Sequence, residues 1–276
     1  MARQKRIALI NDITGFGRCS VTVQLPLISA MRVQACPLPT AILSVHTGFP
    51  NHYLDDYTER MRPYMGNWAA NALEFDAILT GFLGSERQIE VVLECIARFK
   101  QRTTQLVVDP VMGDNGSLYS SYTPALCAKM RQLLPQADVV TPNLTEACQL
   151  LGADYPTGGL VTEDELARMA AEIAAMGPRT VIITGLHADE NVRTYLYADG
   201  CGRSFDNPKV GRDRSGAGDA FSAIIAAALV RGIPLAEGVP RAADFIGHCL
   251  TYAEELDLPW NHGLPFEEFM GELTEL

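Results

Sequence analysis

Residues 77–108 read AILTGFLGSERQIEVVLECIARFKQRTTQLVV. Ala77 to Leu79 and Leu106 to Val108 are short apolar runs. Between them, Ser85 to Arg98 carries apolar residues at 89, 92, 93 and 96, the three-and-four spacing of a helix with one buried face. A strand, a helix and a second strand in this order make a crossover unit whose strands lie parallel. The pattern recurs in both directions. Ile7 to Ile10, Ala41 to Val45, Val139 to Val140 and Val181 to Ile183 read as strands, and Glu163 to Met176 and Ala220 to Val230 as helices. The expected fold class is α/β: an open, mostly parallel sheet flanked by helices on both faces. No repeat, charge block or Ser/Pro-rich linker breaks the alternation, so residues 1–276 are expected to form a single domain.

The composition is that of an ordinary globular chain, with 47% hydrophobic and 20% charged residues. Lys and Arg number 22 against 33 Asp and Glu, a net charge of −11, which argues against nucleic acid and anionic membrane as partners because both need a basic face. The seven cysteines show no CxxC pair and mostly sit in apolar stretches, as reduced thiols do, which reads as cytoplasmic. The apolar run that follows MARQKR is too short for a signal peptide, and no run approaches the roughly 18 residues of a membrane span.

In open α/β sheets, ligands bind beyond the carboxyl ends of the strands, where loops meet helix N-termini. Five expected strand exits are polar or glycine-rich: Asn11 to Ser20, Val45 to Asn51, Asp109 to Gly116, Thr141 to Glu146 and Arg212 to Phe221. The first contains Gly15-x-Gly17 but has Ser20 where a dinucleotide fingerprint wants glycine. No acidic residue lies between Ile13 and Leu54 to hold a ribose, so NAD binding is set aside and Gly15 is read as part of a substrate-contacting or plain strand-to-helix turn. No GxxxxGK[ST] occurs. SGAGDAFSAIIAAALV, residues 215–230, does similar work: Ser215, Gly216, Ala217 and Gly218 are small enough for an oxyanion to approach backbone N–H groups at the start of an apolar helix. Asp219 there is either a functional carboxylate or a helix cap.

VDPVMGDNG and TPNLTEA bring Asp109, Asp114, Asn143 and Glu146 to two strand exits. Few hard oxygen donors, with water and phosphate completing the shell, suit Mg²⁺, and metal-bound ATP follows; the other reading of Asn143 and Glu146 is a turn with a helix cap. His46 and His52 flank Thr47 and could touch substrate, His46 more readily than His52. His187, His248 and His262 show no metal spacing, and Lys209, Arg212 and Arg214 read as either screening ATP or solvated.

DRSGAGDAF resembles the signature of the ribokinase-like, or PfkB-type, kinases, and Asn143-x-x-Glu146 resembles that superfamily's magnesium motif. More narrowly, PLPTAILSVHTGF, LTGFLGS, VDPVMGDNGSLY and TPNLTEACQLLG, followed by MGPRTVIITG, resemble pyridoxal kinases in the same order over nearly the whole chain. The resemblance implies a homodimeric kinase that moves the γ-phosphoryl of ATP to the 5′-hydroxymethyl group of a vitamin B6 vitamer, with Mg²⁺ and a monovalent cation as cofactors. It makes Asp219 the base, Gly216 to Gly218 the anion hole, and Asp109, Asp114 and Glu146 the surroundings of the metal, directly or through water. Asn143, Thr184 and Tyr119 would contact the phosphates or the loop over them, beside Thr141 and Ser215. Thr47 would hold the pyridine ring, Asn11 stands where the family has a ring-contacting serine, Phe82 replaces the aromatic of its GY segment, and the usual GTGD reads GAGD. A hydroxymethylpyrimidine kinase of thiamine synthesis is the nearest alternative, a sugar or nucleoside kinase the next, and a non-catalytic vitamin- or nucleotide-binding protein of the same fold the alternative from another class.

Overall fold

The computed structural model describes residues 3–275. In chain order the elements are β1 (Arg6–Phe16), α1 (Val21–Ala30), β2 (Gln34–Val45), β3 (Leu54–Asp56), α2 (Thr58–Ala70), β4 (Ala77–Thr80), α3 (Glu86–Phe99), β5 (Gln105–Val108), β6 (Gly113–Asp114) and β7 (Ser117–Leu118). There follow α4 (Pro124–Met130), β8 (Val139–Val140), α5 (Leu144–Leu151), α6 (Glu163–Ala174), β9 (Thr180–Ala188), β10 (Asn191–Ala198), β11 (Cys201–Pro208), α7 (Ala217–Arg231), α8 (Leu235–Glu255) and α9 (Met270–Leu273).

Nine strands form one sheet in the order β11-β10-β9-β8-β5-β4-β1-β2-β3. The six from β9 to β2 are parallel, and antiparallel strands close both edges. Side chains alternate between two cores. Ala8, Ile10, Ile78, Val108 and Val181 pack under α2 to α6, while Ile7, Leu9, Leu79, Val107 and Ile182 pack under α1, α7, α8 and α9. The expected α/β class with helices on both faces is what the chain forms. No helix among the described residues is long and apolar enough to cross a membrane, and all seven cysteines are free thiols.

Two readings need correction. The segment after Ile10 is not a loop: β1 stops pairing with β4 at Ile10↔Thr80 but continues against β2 as far as Phe16↔Val45, with a register shift between Asn11 and Ile13. Gly15 is therefore a strand residue backed by the Ser44 carbonyl, and the turn into α1 is made by Gly17 to Ser20. Secondly, helix α7 begins at Ala217, so Gly218 and Asp219 lie in its first turn.

Candidate active site

Gly216 is the N-cap of α7 and holds a left-handed φ of 87°; a Cβ built there would lie 1.9 Å from the Arg18 carbonyl oxygen, so no other residue fits without moving the chain. Ala220 N–H donates to the Gly216 carbonyl, while the N–H groups of Gly218 and Asp219 meet no backbone acceptor among the described residues. Gly218 fronts open space. A 15-residue helix thus presents free amides and the positive end of its dipole to a gap that an oxyanion can enter.

Asp219 is not the cap. One carboxylate oxygen, Oδ1, accepts from Asn11 Nδ2 at 2.9 Å and the other, Oδ2, from the Ser20 backbone N–H at 2.8 Å. Burial pushes its pKa up from 3.8 to about 6, the Ser20 and Asn11 hydrogen bonds restrain the rise, and the charge of Asp12 adds to it. The carboxylate is thus a better proton acceptor than an ordinary aspartate at a helix N-terminus, where the dipole alone would make it weaker.

Across the gap, Asp109 follows β5 and Glu146 lies in the first turn of α5; both are buried. Asn143 and Glu146 form a capping box: Asn143 Oδ1 accepts from Glu146 N–H at 3.0 Å and Glu146 Oε2 from Asn143 N–H at 2.9 Å. The cap reading of this pair is therefore correct, yet Glu146 does more. Its Oε1 accepts from Met112 N–H at 3.1 Å, and Asn143 Nδ2 donates to the Gly113 carbonyl at 2.8 Å, so the box holds the Asp109 loop. Burial raises both acids well above their ordinary values; the charge of Asp219 raises Asp109 further, and that of Asp109 raises Glu146.

The charges that act on these three neighbouring acids are, among the described residues, those of other carboxylates. Among the described residues no group of three or more His, Cys, Asp or Glu has metal-binding geometry, so a resident all-protein cage is not what the residues form. They do fit a hard cation held largely by water and phosphate: the donors are carboxylates, and the buried Thr80 and Thr141 hydroxyls, at the ends of β4 and β8 on either side of β5, have no hydrogen-bond partner. Asp114 sits in the β6–β7 hairpin, whose turn residues Asn115 and Gly116 both have positive φ. Burial raises the Asp114 carboxyl, and the charge of Asp213 adds to that rise. Gly116 N–H donates to Thr145 Oγ1 at 2.8 Å and Asn115 Nδ2 to Asp213 at 3.2 Å, which ties the hairpin to α5 and to the loop before α7. Tyr119 follows the hairpin with its side chain partly exposed; desolvation of the phenol first, and then the charge of Glu146, pushes its pKa up. Thr184 pairs with Asn143 across an isolated parallel bridge, and Ser215 precedes the glycine cap.

On the acceptor side the structure departs from the sequence reading. Asn11 is fully buried, and its amide is wholly used: besides Asp219, Nδ2 donates to Gln24 at 2.9 Å, and Oδ1 accepts from the backbone N–H groups of Asp12 and Phe82. It lies beneath the carboxylate rather than open to a ring. Phe82 meets Tyr122 edge-on. Thr47 is exposed in a turn closed by Phe49 N–H on the His46 carbonyl at 3.1 Å. Both His46 nitrogens have protein partners: Nδ1 accepts from Gly48 N–H and Nε2 donates to the Asn261 carbonyl at 2.9 Å, and the ring packs against Phe49 and Trp260. Arg214 is not solvated: its side chain is 2% exposed and grips the carbonyls of Leu258 and Pro259 and the carboxylate of Glu254. Residues the sequence reading passed over are Asp12, Gln24 and Ser222. Gln24 alone had a visible signal, a lone amide in the apolar run VTVQLPLISA.

A free-amide helix start, a carboxylate held at its first turn and an acidic rim opposite are the parts of a phosphoryl-transfer site. A sequence model of the phosphomethylpyrimidine kinase family matches residues 25–263, and the chain belongs to that family, and so to the phosphotransferases. The Arabidopsis thaliana thiamine biosynthetic bifunctional enzyme TH1 is 32% identical over 203 residues, 72% of this chain but only 37% of that relative's length. The Rhizobium meliloti hydroxymethylpyrimidine/phosphomethylpyrimidine kinase is 29% identical over 90% of this chain and 91% of its own. The Bacillus subtilis pyridoxine kinase is 34% identical over 62% of each. Among solved structures, one from Bacteroides thetaiotaomicron VPI-5482, provisionally named a phosphomethylpyrimidine kinase and crystallised with pyridoxal, superposes with a TM-score of 0.92 at 35% identity, covering 99% of this chain and 96% of its own. The pyridoxal kinase of Lactobacillus plantarum gives 0.90 at 27%, covering 99% and 98%.

Proposed function

We propose that this chain transfers the γ-phosphoryl group of MgATP to the 5′-hydroxymethyl group of a B6 vitamer. The observation that carries the reading is the Asp219 carboxylate, held by Asn11 and Ser20 in the first turn of α7, where the Gly218 and Asp219 amides have no backbone acceptor among the described residues. The 35% identical Bacteroides structure, which was crystallised with pyridoxal, supports the choice of ring. Asp219 orients the acceptor hydroxyl and takes its proton late, as a loose transition state requires, while Gly216 to Gly218 cradle the migrating phosphoryl group. Magnesium, when bound, would neutralise phosphate charge, with Asp109 and Glu146 around it and Asp114 at the hairpin; Asn143, Thr141, Thr184, Ser215 and Tyr119 line the nucleotide side. Thr47, Phe82 and His46 border the acceptor. A monovalent cation and a cytoplasmic homodimer belong to the same proposal.

The second reading is a hydroxymethylpyrimidine kinase, favoured by the family match and by the near-full-length Rhizobium relative. ATP consumption against pyridoxal, pyridoxine, pyridoxamine, hydroxymethylpyrimidine and ribose separates the two. The expected result is a kcat/KM for one B6 vitamer at least about tenfold above that for the pyrimidine. The reverse order would assign the chain to thiamine synthesis, and turnover of none would leave a binding protein. Asp219→Asn should keep ATP binding and lower kcat by roughly 10²- to 10⁴-fold.

A further inference from the structure

Helix α1 is apolar along its buried length except at Gln24, which is 0% exposed. A buried amide costs about 1–3 kcal/mol when its groups are unpaired, so both ends of this one need partners. Gln24 Oε1 accepts from Asn11 Nδ2 at 2.9 Å on β1, and Gln24 Nε2 donates to Ser222 Oγ at 3.3 Å on α7. Ser222 in turn donates to the Asp219 carbonyl at 3.2 Å. The directions are determined by chemistry. Asn11 Oδ1 takes two backbone N–H groups, so its NH₂ must face inward, one hydrogen to Gln24 and the other to Asp219 Oδ1. Gln24 thus links β1, α1 and the start of α7 in a ring that closes through the Asp219 main chain, with the Asp219 carboxylate on its Asn11 side.

Granting Asp219 as the base, we propose that Gln24 is a positioning residue: it braces Asn11 from behind and Ser222 from the side, so that Asp219 is presented to the acceptor hydroxyl in a single orientation. The brace touches neither substrate. Its loss therefore acts on the chemical step, where a displacement of the order of 1 Å is costly, and leaves ground-state binding alone.

The test is steady-state kinetics of Gln24→Met, Asn11→Ala, their double variant and Ser222→Ala. Gln24→Met matches the side-chain length and removes both bonds. It should lower kcat about tenfold with the KM values for ATP and acceptor within about twofold of wild type. Added to Asn11→Ala it should lower kcat by less than about twofold more, because it works through that residue. A kcat within twofold of wild type, full multiplication of the two effects, or a rise in both KM values together with the fall in kcat would overturn the proposal. Should Gln24→Met fail to fold, Ser222→Ala cuts the brace at its other end and must show the same split, with kcat falling and KM unchanged. Failure of the underlying reading looks different: Asp219→Asn would itself retain turnover. An inactive Asp219→Asn beside an unaffected Gln24→Met rejects the brace alone.

Discussion

Removing the charge of Asp219 should stabilise the protein above pH 6 and destabilise it below pH 4, even as it lowers turnover. The carboxyl titrates near 6 in the folded chain against 3.8 when unfolded. At roughly 1.4 kcal/mol per pH unit, that gap has a ceiling of about 3 kcal/mol, and the residue's remaining solvent contact reduces it to about 2. The native state holds the extra proton, so the full stability is present below pH 3.8 and is lost as pH rises through 6. Asparagine escapes this loss but turns an NH₂ toward either Asn11 Nδ2 or Ser20 N–H, a donor facing a donor, at a cost of about 1 kcal/mol at every pH. The difference between Asp219→Asn and wild type should therefore run from about −1 kcal/mol at pH 4 to about +1 at pH 8. Asp109 moves it the same way, since the charge of Asp219 raises its pKa too. Urea unfolding of both proteins across this range, without nucleotide or divalent cation, measures the swing. A difference of constant sign and size would refute the account of Asp219 as a carboxylate ionised against burial.

Four further outcomes are expected. Because the base must be ionised, kcat/KM for the acceptor should fall about tenfold per pH unit below 6, and a profile flat to pH 5 would deny Asp219 that role. Glu146→Gln turns one of its two backbone-bonded oxygens into a donor and removes a charge from the metal's surroundings, so the magnesium concentration for half-maximal rate should rise several-fold; an unchanged titration removes Glu146 from that shell. Gly216→Ala drives a methyl into the Arg18 carbonyl at a positive φ, and should abolish nucleotide binding by calorimetry or leave the protein insoluble. Arg214→Leu strands two carbonyls and frees Glu254, and should cost about 2–4 kcal/mol in urea unfolding with KM for ATP unchanged if the protein folds.

The central sheet was legible because parallel strands buried on both faces must be short apolar runs, as Ala77–Thr80 and Gln105–Val108 are. What escaped lacks that constraint. β11, CGRSFDNP, is an edge strand with no fully buried residue, and its alternation is too weak to read. α1 is apolar nearly all round and contains Pro26, and α2 contains Pro63, so neither shows a clean stripe. Asn115-Gly116 was a hairpin signal in plain view. In the site, the glycine cap and the acids at strand exits could be read because small residues and carboxylates have narrow uses there. The roles of Asn11, Gln24 and Arg214 could not, since each is defined by partners 13 to 208 residues away.

Ser20 links that buried network to the backbone. It caps α1 at φ 56° and ψ −138° with no side-chain cap bond, a conformation that costs a non-glycine residue about 1–3 kcal/mol. What the strain provides is direction, because it turns the Ser20 N–H onto Asp219 Oδ2. Burial alone would carry this carboxyl further up its titration, toward a state protonated at neutral pH and useless as a base. Full solvation would return it to an ordinary aspartate, too acidic to hold the proton of an alcohol. Two donors, one a strained backbone amide and the other an asparagine with no freedom left, keep it between these limits, mostly ionised at pH 7 yet close enough to its pKa to receive the proton. On the proposed role of Asp219 as base, the polar residues beneath the helix start and the strained turn beside it serve one requirement, and stability is given up at this corner of the fold to meet it.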